Sequence, residues 1–101
     1  MTKADLVREI SIETGIVRKD VAIVVDSLLN AIREKMKGGN HIEIRHFGTF
    51  KLKVRSSRVG RNPKTSVKVQ VPERVVPAFK FSRQFKKAVL DSVTPSQLQE
   101  N

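Results

Sequence analysis

The sequence predicts an α+β fold in which two helices precede antiparallel strands, a long β-ribbon arm and a short last helix. In two stretches up to residue 37, apolar residues recur at every third or fourth position, as on a helix. From residue 42 onward apolar and polar residues alternate, as on a strand. Residues 54–76 are basic, and at their centre Asn62-Pro63 is a turn signal. These patterns predict a helical part, a sheet and a hairpin arm.

Two helices are predicted at the start of the chain. Thr2 followed by Asp5 resembles a capping box, and Gly15 suits the left-handed residue that ends a helix. A second helix is predicted from about Lys19 to Lys37. Its apolar stripe is wide enough to be buried on two sides, as in a helix at the core of a dimer.

Three strands and a last helix are predicted for the rest of the body, by which we mean the part of the chain outside the arm. Ile42–Ile44 alternates, a tight turn follows at residues 45–48, and a second strand continues into the arm. Residues 75–81 return to the body, with prolines that confine this strand to an edge or a bend. Ser82 is the predicted N-cap of the last helix.

The arm carries many cations and little apolar surface. Its only acid is Glu73. Such a hairpin has too little apolar surface to fold against a core, so we predict an anionic external partner. The cations that approach and leave the tip are Arg55, Arg58, Arg61, Lys64, Lys68 and Arg74.

The length of 101 residues predicts one domain, which we place at residues 1–91, with a polar tail at 92–101 that frays. A monomer of this size is marginally stable, which favours an obligate oligomer. Residues 1–50 hold 8 basic and 7 acidic side chains, a net charge of +1. Residues 51–101 hold 12 basic and 3 acidic side chains, a net charge of +9. This asymmetry predicts a scaffold with a surface that binds polyanions.

Composition argues against several kinds of chemistry. Without cysteine there is no disulfide, thiolate or zinc-finger chemistry, and no apolar run approaches a membrane span. The start of the chain lacks a signal peptide, so the protein is expected to stay where it is made. His41 and His46 are interpreted as two surface imidazoles, since no carboxylate pair accompanies them at ligand spacing. We predict no enzyme activity, no cofactor, no metal site and no small-molecule substrate.

Two roles are open for the aromatic residues and two for the tip. The positions of the five phenylalanines favour a role in core packing over base stacking, because none of them lies near the tip of the arm. The charged strands fit a role in preventing aggregation, but this does not explain a proline between cations. Exposed at a hairpin tip, Pro63 is suited to wedge between base pairs of the minor groove while Arg61 and Asn62 read its floor.

These residues resemble the HU/IHF family of bacterial DNA-bending proteins, over residues 1 to about 91. The start of the chain and Ile42-Glu43-Ile44-Arg45 resemble in particular the β subunits of integration host factor. The densest part of the resemblance comprises Phe47-Gly48-Thr49-Phe50, Arg55, Arg58, Gly60-Arg61-Asn62-Pro63-Lys64-Thr65 and Val76-Pro77-Ala78-Phe79-Lys80.

The resemblance implies an intertwined dimer with a helical base, an antiparallel β-sheet saddle and two β-ribbon arms that embrace duplex DNA from the minor-groove side. It implies that Pro63 intercalates. It also implies phosphate contacts on the body from Lys3, Arg45, Lys80, Lys86 and Ser82. The contact at Ser82 would be made by free backbone N–H groups at the N-terminus of the last helix. The DNA face of the arm would comprise Arg55, Arg58, Arg61, Asn62, Lys64, Lys68 and Arg74.

The sequence departs from the family pattern at four places. His46 replaces a small residue, Ser66 replaces glycine, Phe81-Ser82 replaces Pro-Gly, and Val17 replaces a capping serine. We therefore expect a different turn beside the minor groove, a weaker start to the second helix and an altered phosphate site at the last helix.

The predicted function is that of a non-catalytic, dimeric, DNA-bending protein of the nucleoid in the bacterial cytoplasm. Within the family, the alternatives are an HU-like homodimer that binds any duplex and an IHF-like heterodimer that prefers certain sites. A small basic RNA-binding protein is the alternative from another class, but it would need exposed aromatic residues or a single strand to read. A membrane-surface peptide would need a basic amphipathic helix, whereas the charge here lies on strands.

Overall fold

A computed structural model describes residues 1–98 of the chain. It divides the chain into two compact units, the first spanning Met1–Gly38 and the second beginning at Gly39. The first unit contains α1 (Lys3–Thr14) and α2 (Arg18–Lys37), which pack against each other. The α+β class predicted from the sequence is confirmed.

The ends of α1 are as predicted. The N–H of Asp5 donates to Oγ1 of Thr2 at 3.3 Å, and the N–H of Thr2 donates to Oδ2 of Asp5 at 2.8 Å. This reciprocal pair is a capping box, which satisfies N–H groups that a helix start leaves free. Gly15 ends the helix with a φ of +77°, and its N–H donates to the carbonyl of Ser11 at 2.9 Å. Glycine adopts this left-handed conformation without steric cost.

Helix α2 begins one residue before its predicted start. Its N-cap is Val17, which offers no side-chain acceptor, so the backbone alone holds the first turn. The N–H groups of Asp20 and Val21 donate to the carbonyl of Val17 at 2.9 and 3.1 Å. The expected absence of a side-chain cap is thus observed, and the weaker helix start stays a prediction.

The second unit contains five antiparallel strands and two helices. Their bounds are β1 Ile42–Ile44, β2 Gly48–Arg55, β3 Arg58–Arg61, β4 Lys68–Val71, β5 Arg74–Phe81, α3 Arg83–Ser92 and α4 Pro95–Leu98. Strands β1, β2 and β5 form one sheet in the order β1-β2-β5, and β3 and β4 form a separate ribbon. The proline-containing β5 lies at an edge of its sheet, as its prolines predicted.

The three-stranded sheet has one apolar and one basic face. Phe50 is paired with Ile42 on one side and Phe79 on the other, so these three share a face. Because side chains alternate along a strand, the neighbouring Lys51 points to the opposite face. The pairing register therefore separates a packing surface from a charged one.

The five phenylalanines pack against one another, which supports the core-packing interpretation, although Phe47 and Phe81 remain 44% exposed. Phe79 contacts Phe50, Phe47 and Phe81, with ring centroids 4.6, 5.8 and 4.8 Å apart. Phe85 on α3 contacts Phe47 at 5.1 Å and Phe81 at 4.6 Å. Several of these pairs are edge-on, a geometry that aromatic rings favour. The cluster fixes α3 against the sheet.

Gly48, where β2 begins, allows this cluster to close. A Cβ at this position would lie 2.6 Å from the carbonyl oxygen of Lys80 and would also overlap the ring of Phe79. Gly48→Ala is therefore expected to lower the free energy of unfolding by about 1–3 kcal/mol. Denaturant unfolding at fixed protein concentration measures this change.

Gly60→Ala is the matched control, since its Cβ would meet only Cγ2 of Val71 at 3.5 Å and the carbonyl of Val69 at 3.8 Å. We expect this control to change stability by less than about 1 kcal/mol. Equal losses of stability in both variants would contradict the assignment of the close approach at Gly48.

The tail differs from the prediction of fraying in its described part. Residues 95–98 form one helical turn, α4. The N–H of Thr94 donates to Oε1 of Gln97 at 2.7 Å, an interaction that holds the start of this turn. Residues 99–101 lie outside the described residues, and the domain boundary at residue 91 stays a prediction.

Candidate nucleic-acid interface

The predicted arm is present as the β3–β4 ribbon. Arg58 is paired with Val71, and Arg61 with Lys68. The paired part of the arm is shorter than predicted, because neither residues 56–57 nor residues 72–73 belong to a strand. Pro72 has no N–H to donate to a ladder, which accounts for the interruption on the returning side.

The tip, residues 62–67, is held by its own hydrogen bonds. The N–H of Asn62 donates to the carbonyl of Val67 at 2.9 Å, and the N–H of Ser66 donates to the carbonyl of Asn62 at 2.8 Å. Oδ1 of Asn62 accepts from the N–H of Lys64 at 2.9 Å. Asn62 therefore shapes the turn around Pro63, and its amide nitrogen remains the group with which it would contact DNA.

Pro63 is exposed at this tip. None of the tip hydrogen bonds involves its backbone, since it has no N–H and its carbonyl accepts none of them. The turn thus presents a rigid apolar ring to solvent between Arg61 and Lys64. An apolar side chain exposed in this way is suited to insertion between stacked bases.

Two family departures lie at left-handed backbone positions. His46 has a φ of +66° and Ser66 a φ of +59°. Residues other than glycine adopt this conformation at a cost. The expectation of a different turn beside the minor groove stays a prediction.

Cations gather where the arm meets the sheet. Arg55 is paired directly with Arg74, and Arg58 lines the same groove of about 340 Å³. Like charges placed opposite each other repel. Within residues 1–98, none of these three arginines forms an ion pair with an acid. A phosphate bound here would relieve the repulsion.

A second basic site is a cleft of about 790 Å³, which we call the body cleft. Strand β1, the turn after it, strands β2 and β5, and the start of α3 all contribute to it. It brings together four of the five predicted body residues, Arg45, Lys80, Ser82 and Lys86. The other charged or titratable residues that line it are Glu43, His46, Lys51 and Arg83.

Lys51 and Arg83 are cleft residues that the sequence prediction missed. The alternation of Lys51 and Lys53 with apolar residues was the available signal, since it predicts a charged strand face. For Arg83, the signal was its position directly after the helix cap. In the pairing of β2 with β5, Thr49 lies opposite Lys80, and this register places Lys51 and Lys80 beside the same cleft. The sequence alone does not give the register.

Ser82 caps α3 as predicted. Its Oγ accepts from the N–H of Phe85 at 3.1 Å, and its own N–H donates to the carbonyl of Phe47 at 2.9 Å. One acceptor site of its hydroxyl is therefore used by the helix, while the O–H remains able to donate. The next two residues of the first turn, Arg83 and Gln84, line the body cleft, and their N–H groups are among those that a helix start leaves free.

Lys3 lies in the first unit, in an ion pair with Asp26. Its Nζ is 2.7 Å from Oδ1 of Asp26, and the two side chains are 56% and 57% exposed. Exposed pairs contribute only about 0.2–1 kcal/mol, so Lys3 can exchange this partner for a phosphate at small cost.

The described residues contain no cluster of three side chains suited to a metal ion. No helix within residues 1–98 is long and apolar enough to cross a membrane. A proline-tipped ribbon with unpaired arginines at its base, together with a cationic cleft, defines a protein that binds a polyanion.

Residues 1–90 match the bacterial DNA-binding protein family. The β subunit of integration host factor from Burkholderia vietnamiensis is 43% identical over 90 residues, which cover 88% of this chain and 84% of that protein. The β subunit from Nitrosomonas europaea is 41% identical, covering 88% and 86%. An Anabaena HU–DNA cocrystal structure matches with a TM-score of 0.82 and 32% identity, covering 88% of this chain and 97% of that one.

The chain is therefore a non-catalytic architectural DNA-binding protein. It belongs to the bacterial DNA-binding protein family, in which its relatives include HU and integration host factor.

Proposed function

We propose that this protein bends duplex DNA in the bacterial nucleoid, with Pro63 of each arm as the wedge. The observation that carries the proposal is that Pro63 is exposed in a turn whose hydrogen bonds do not involve it. The ribbon that bears this turn carries unpaired cations. Inserting the ring into the minor groove unstacks one base step, which costs a few kcal/mol. Phosphate contacts along the bent duplex offset that cost.

The proposed contacts fall into two groups. On the arm, Asn62 and the cations would hold the minor groove and its phosphates. The arm set is Arg55, Arg58, Arg61, Asn62, Pro63, Lys64, Lys68 and Arg74. The body set is Lys3, Arg45, Lys80, Ser82 and Lys86, to which the body cleft adds Lys51 and Arg83.

Exposed apolar surface supports a dimer. Within residues 1–98, Val7 and Val21 are the only large apolar side chains that are buried, at 5% and 4% exposure. On α2, Val24 remains 67% exposed, Leu28 54% and Leu29 46%. A folded monomer would leave this stripe in water, and burial of such side chains is the main driving force for association.

The choice between a homodimer and a heterodimer has support on both sides. Similarity to integration host factor β subunits supports pairing with a second, related subunit. Similarity to HU supports self-association. The exposed stripe on α2 requires a partner surface in either case.

Sedimentation of the purified protein with and without a duplex of about 30 base pairs tests the dimer and the DNA binding on which the proposal rests. We expect the free protein to sediment as a dimer. In a separate thermal-unfolding experiment, its midpoint should rise with protein concentration. Added duplex should shift the protein to a faster-sedimenting complex. A folded monomer at low micromolar concentration would contradict the dimer, and an unshifted duplex would contradict DNA binding.

A further inference from the structure

His46 is the one histidine that lines the body cleft. It lies in the turn between β1 and β2, where the N–H of Phe47 donates to the carbonyl of Ile44 at 3.0 Å. The left-handed φ of +66° holds His46 at the corner of this turn. Its ring is exposed. Neither ring nitrogen has a hydrogen-bond partner among residues 1–98. The imidazole is thus free to contact a ligand that enters the cleft.

The charged groups around His46 come from every element that lines the cleft. They are Glu43 from β1, Arg45 from the turn, Lys51 from β2, Lys80 from β5, and Arg83 and Lys86 from α3. Five cations face one carboxylate, so the cleft carries a net charge of +4 without His46. A phosphate that binds in the cleft changes this balance by adding negative charge.

We propose that His46 is a proton-dependent phosphate contact, so that DNA binding in the body cleft takes up a proton at this ring. Neutral imidazole offers one N–H donor, whereas imidazolium offers two donors and a positive charge. A phosphate oxygen beside the ring stabilises the second form. Because imidazole changes its charge between about pH 5 and 8, binding strengthens as pH falls through this range. The proposal deepens the proposed function and rests on it.

The test measures binding to a duplex of about 30 base pairs at about pH 6 and about pH 8, at constant ionic strength. We expect about tenfold tighter binding at the lower pH for each His46 ring that meets a phosphate. Calorimetry near pH 6.5, in two buffers with different ionisation enthalpies, gives the number of protons taken up on binding.

Three variants separate His46 from the other titrating groups. His46→Asn keeps a residue that tolerates the left-handed backbone but has no titratable ring, so proton uptake should disappear. His46→Arg supplies a fixed charge, and binding should be strong at both pH values. His41→Asn, the matched control, removes the other histidine and should retain the proton uptake of the native chain.

The outcomes distinguish this inference from the proposed function. Proton uptake that persists in His46→Asn, or that disappears in His41→Asn, would overturn the inference. So would the absence of uptake in the native protein. In each case DNA binding at about pH 8 would leave the proposed function standing, whereas absence of binding at both pH values would overturn both.

Discussion

Pro63→Ala is expected to abolish the preference of this protein for nicked or pre-kinked DNA while leaving its affinity for straight duplex unchanged. A nick has already removed part of the unstacking cost, so a wedge binds nicked DNA more tightly than intact DNA. A saving of about 1.4–3 kcal/mol corresponds to roughly 10- to 100-fold in affinity. Without the wedge, no unstacking occurs and the preference disappears.

The fold of the arm should survive this substitution. The turn depends on hydrogen bonds among Asn62, Lys64, Ser66 and Val67, none of which involves Pro63. Every cation also remains, so the salt dependence of binding should persist. Greater backbone freedom in the unfolded chain changes stability by only about 0.4–1 kcal/mol.

Competition between nicked and intact duplexes of the same sequence measures this preference. Ser66→Gly is the matched control, because it alters the same turn, keeps Pro63 and relieves a left-handed serine. It should retain the preference. If Pro63→Ala kept a preference equal to that of the native chain, Pro63 would only shape the hairpin.

Binding to duplex DNA is expected to weaken steeply with salt. Groups that neutralise phosphates far outnumber groups able to read base edges on the described interface. With roughly 8 to 12 phosphate contacts per dimer, log K should fall with log salt at a slope of about −7 to −11. Raising salt from about 50 to about 200 mM should then weaken binding by about ten-thousandfold or more. A slope shallower than about −3 would mean that the basic face is not the binding face.

Arg58→Ala tests one arm residue within this total. The slope should become shallower by about one unit for each phosphate that the variant no longer neutralises, and all sequences should be affected alike. Lys37→Ala is the control, because it removes an exposed cation of α2 that is paired with Glu34 at 3.2 Å. DNA titrations of both variants over a range of salt concentrations measure the slope of log K against log salt. Lys37→Ala should keep the slope of the native chain, and Arg58→Ala should not.

The sequence predicted the local structure well where one residue type decides it. Thr2 with Asp5 predicted the start of α1, Gly15 its end, and Ser82 the start of α3, because each acts on neighbours within a few positions. The strands followed from alternation, and the hairpin from Asn62-Pro63.

Features that depend on tertiary pairing were beyond the sequence pattern. The predicted second strand continued into the arm, whereas in the structure residues 56–57, both serines, separate the sheet from the β3–β4 ribbon. The membership of Lys51 and Arg83 in the body cleft depends on how β5 aligns with β2 and on where α3 starts. Periodicity in the sequence indicates which face of a strand or helix is polar, but not which faces come together in the fold.

The helical turn at Pro95–Leu98 shows a different limit. A polar stretch with one proline suggested a frayed tail, but Thr94 and Gln97 form a local capping interaction that begins a helix. Side-chain caps of this kind offset the unfavourable composition of a short segment. The residues of the arm tip, by contrast, lie where the sequence placed them, at an exposed turn.

The end-to-end distance of a short duplex, labelled at both ends and followed by fluorescence energy transfer, tests the central claim most directly. The native protein should shorten this distance at saturating concentration, because two proline wedges kink the duplex toward the body. Pro63→Ala should leave the distance close to that of the free duplex while still binding it. Equal shortening by the native chain and by Pro63→Ala would contradict the wedge and leave only a basic clamp.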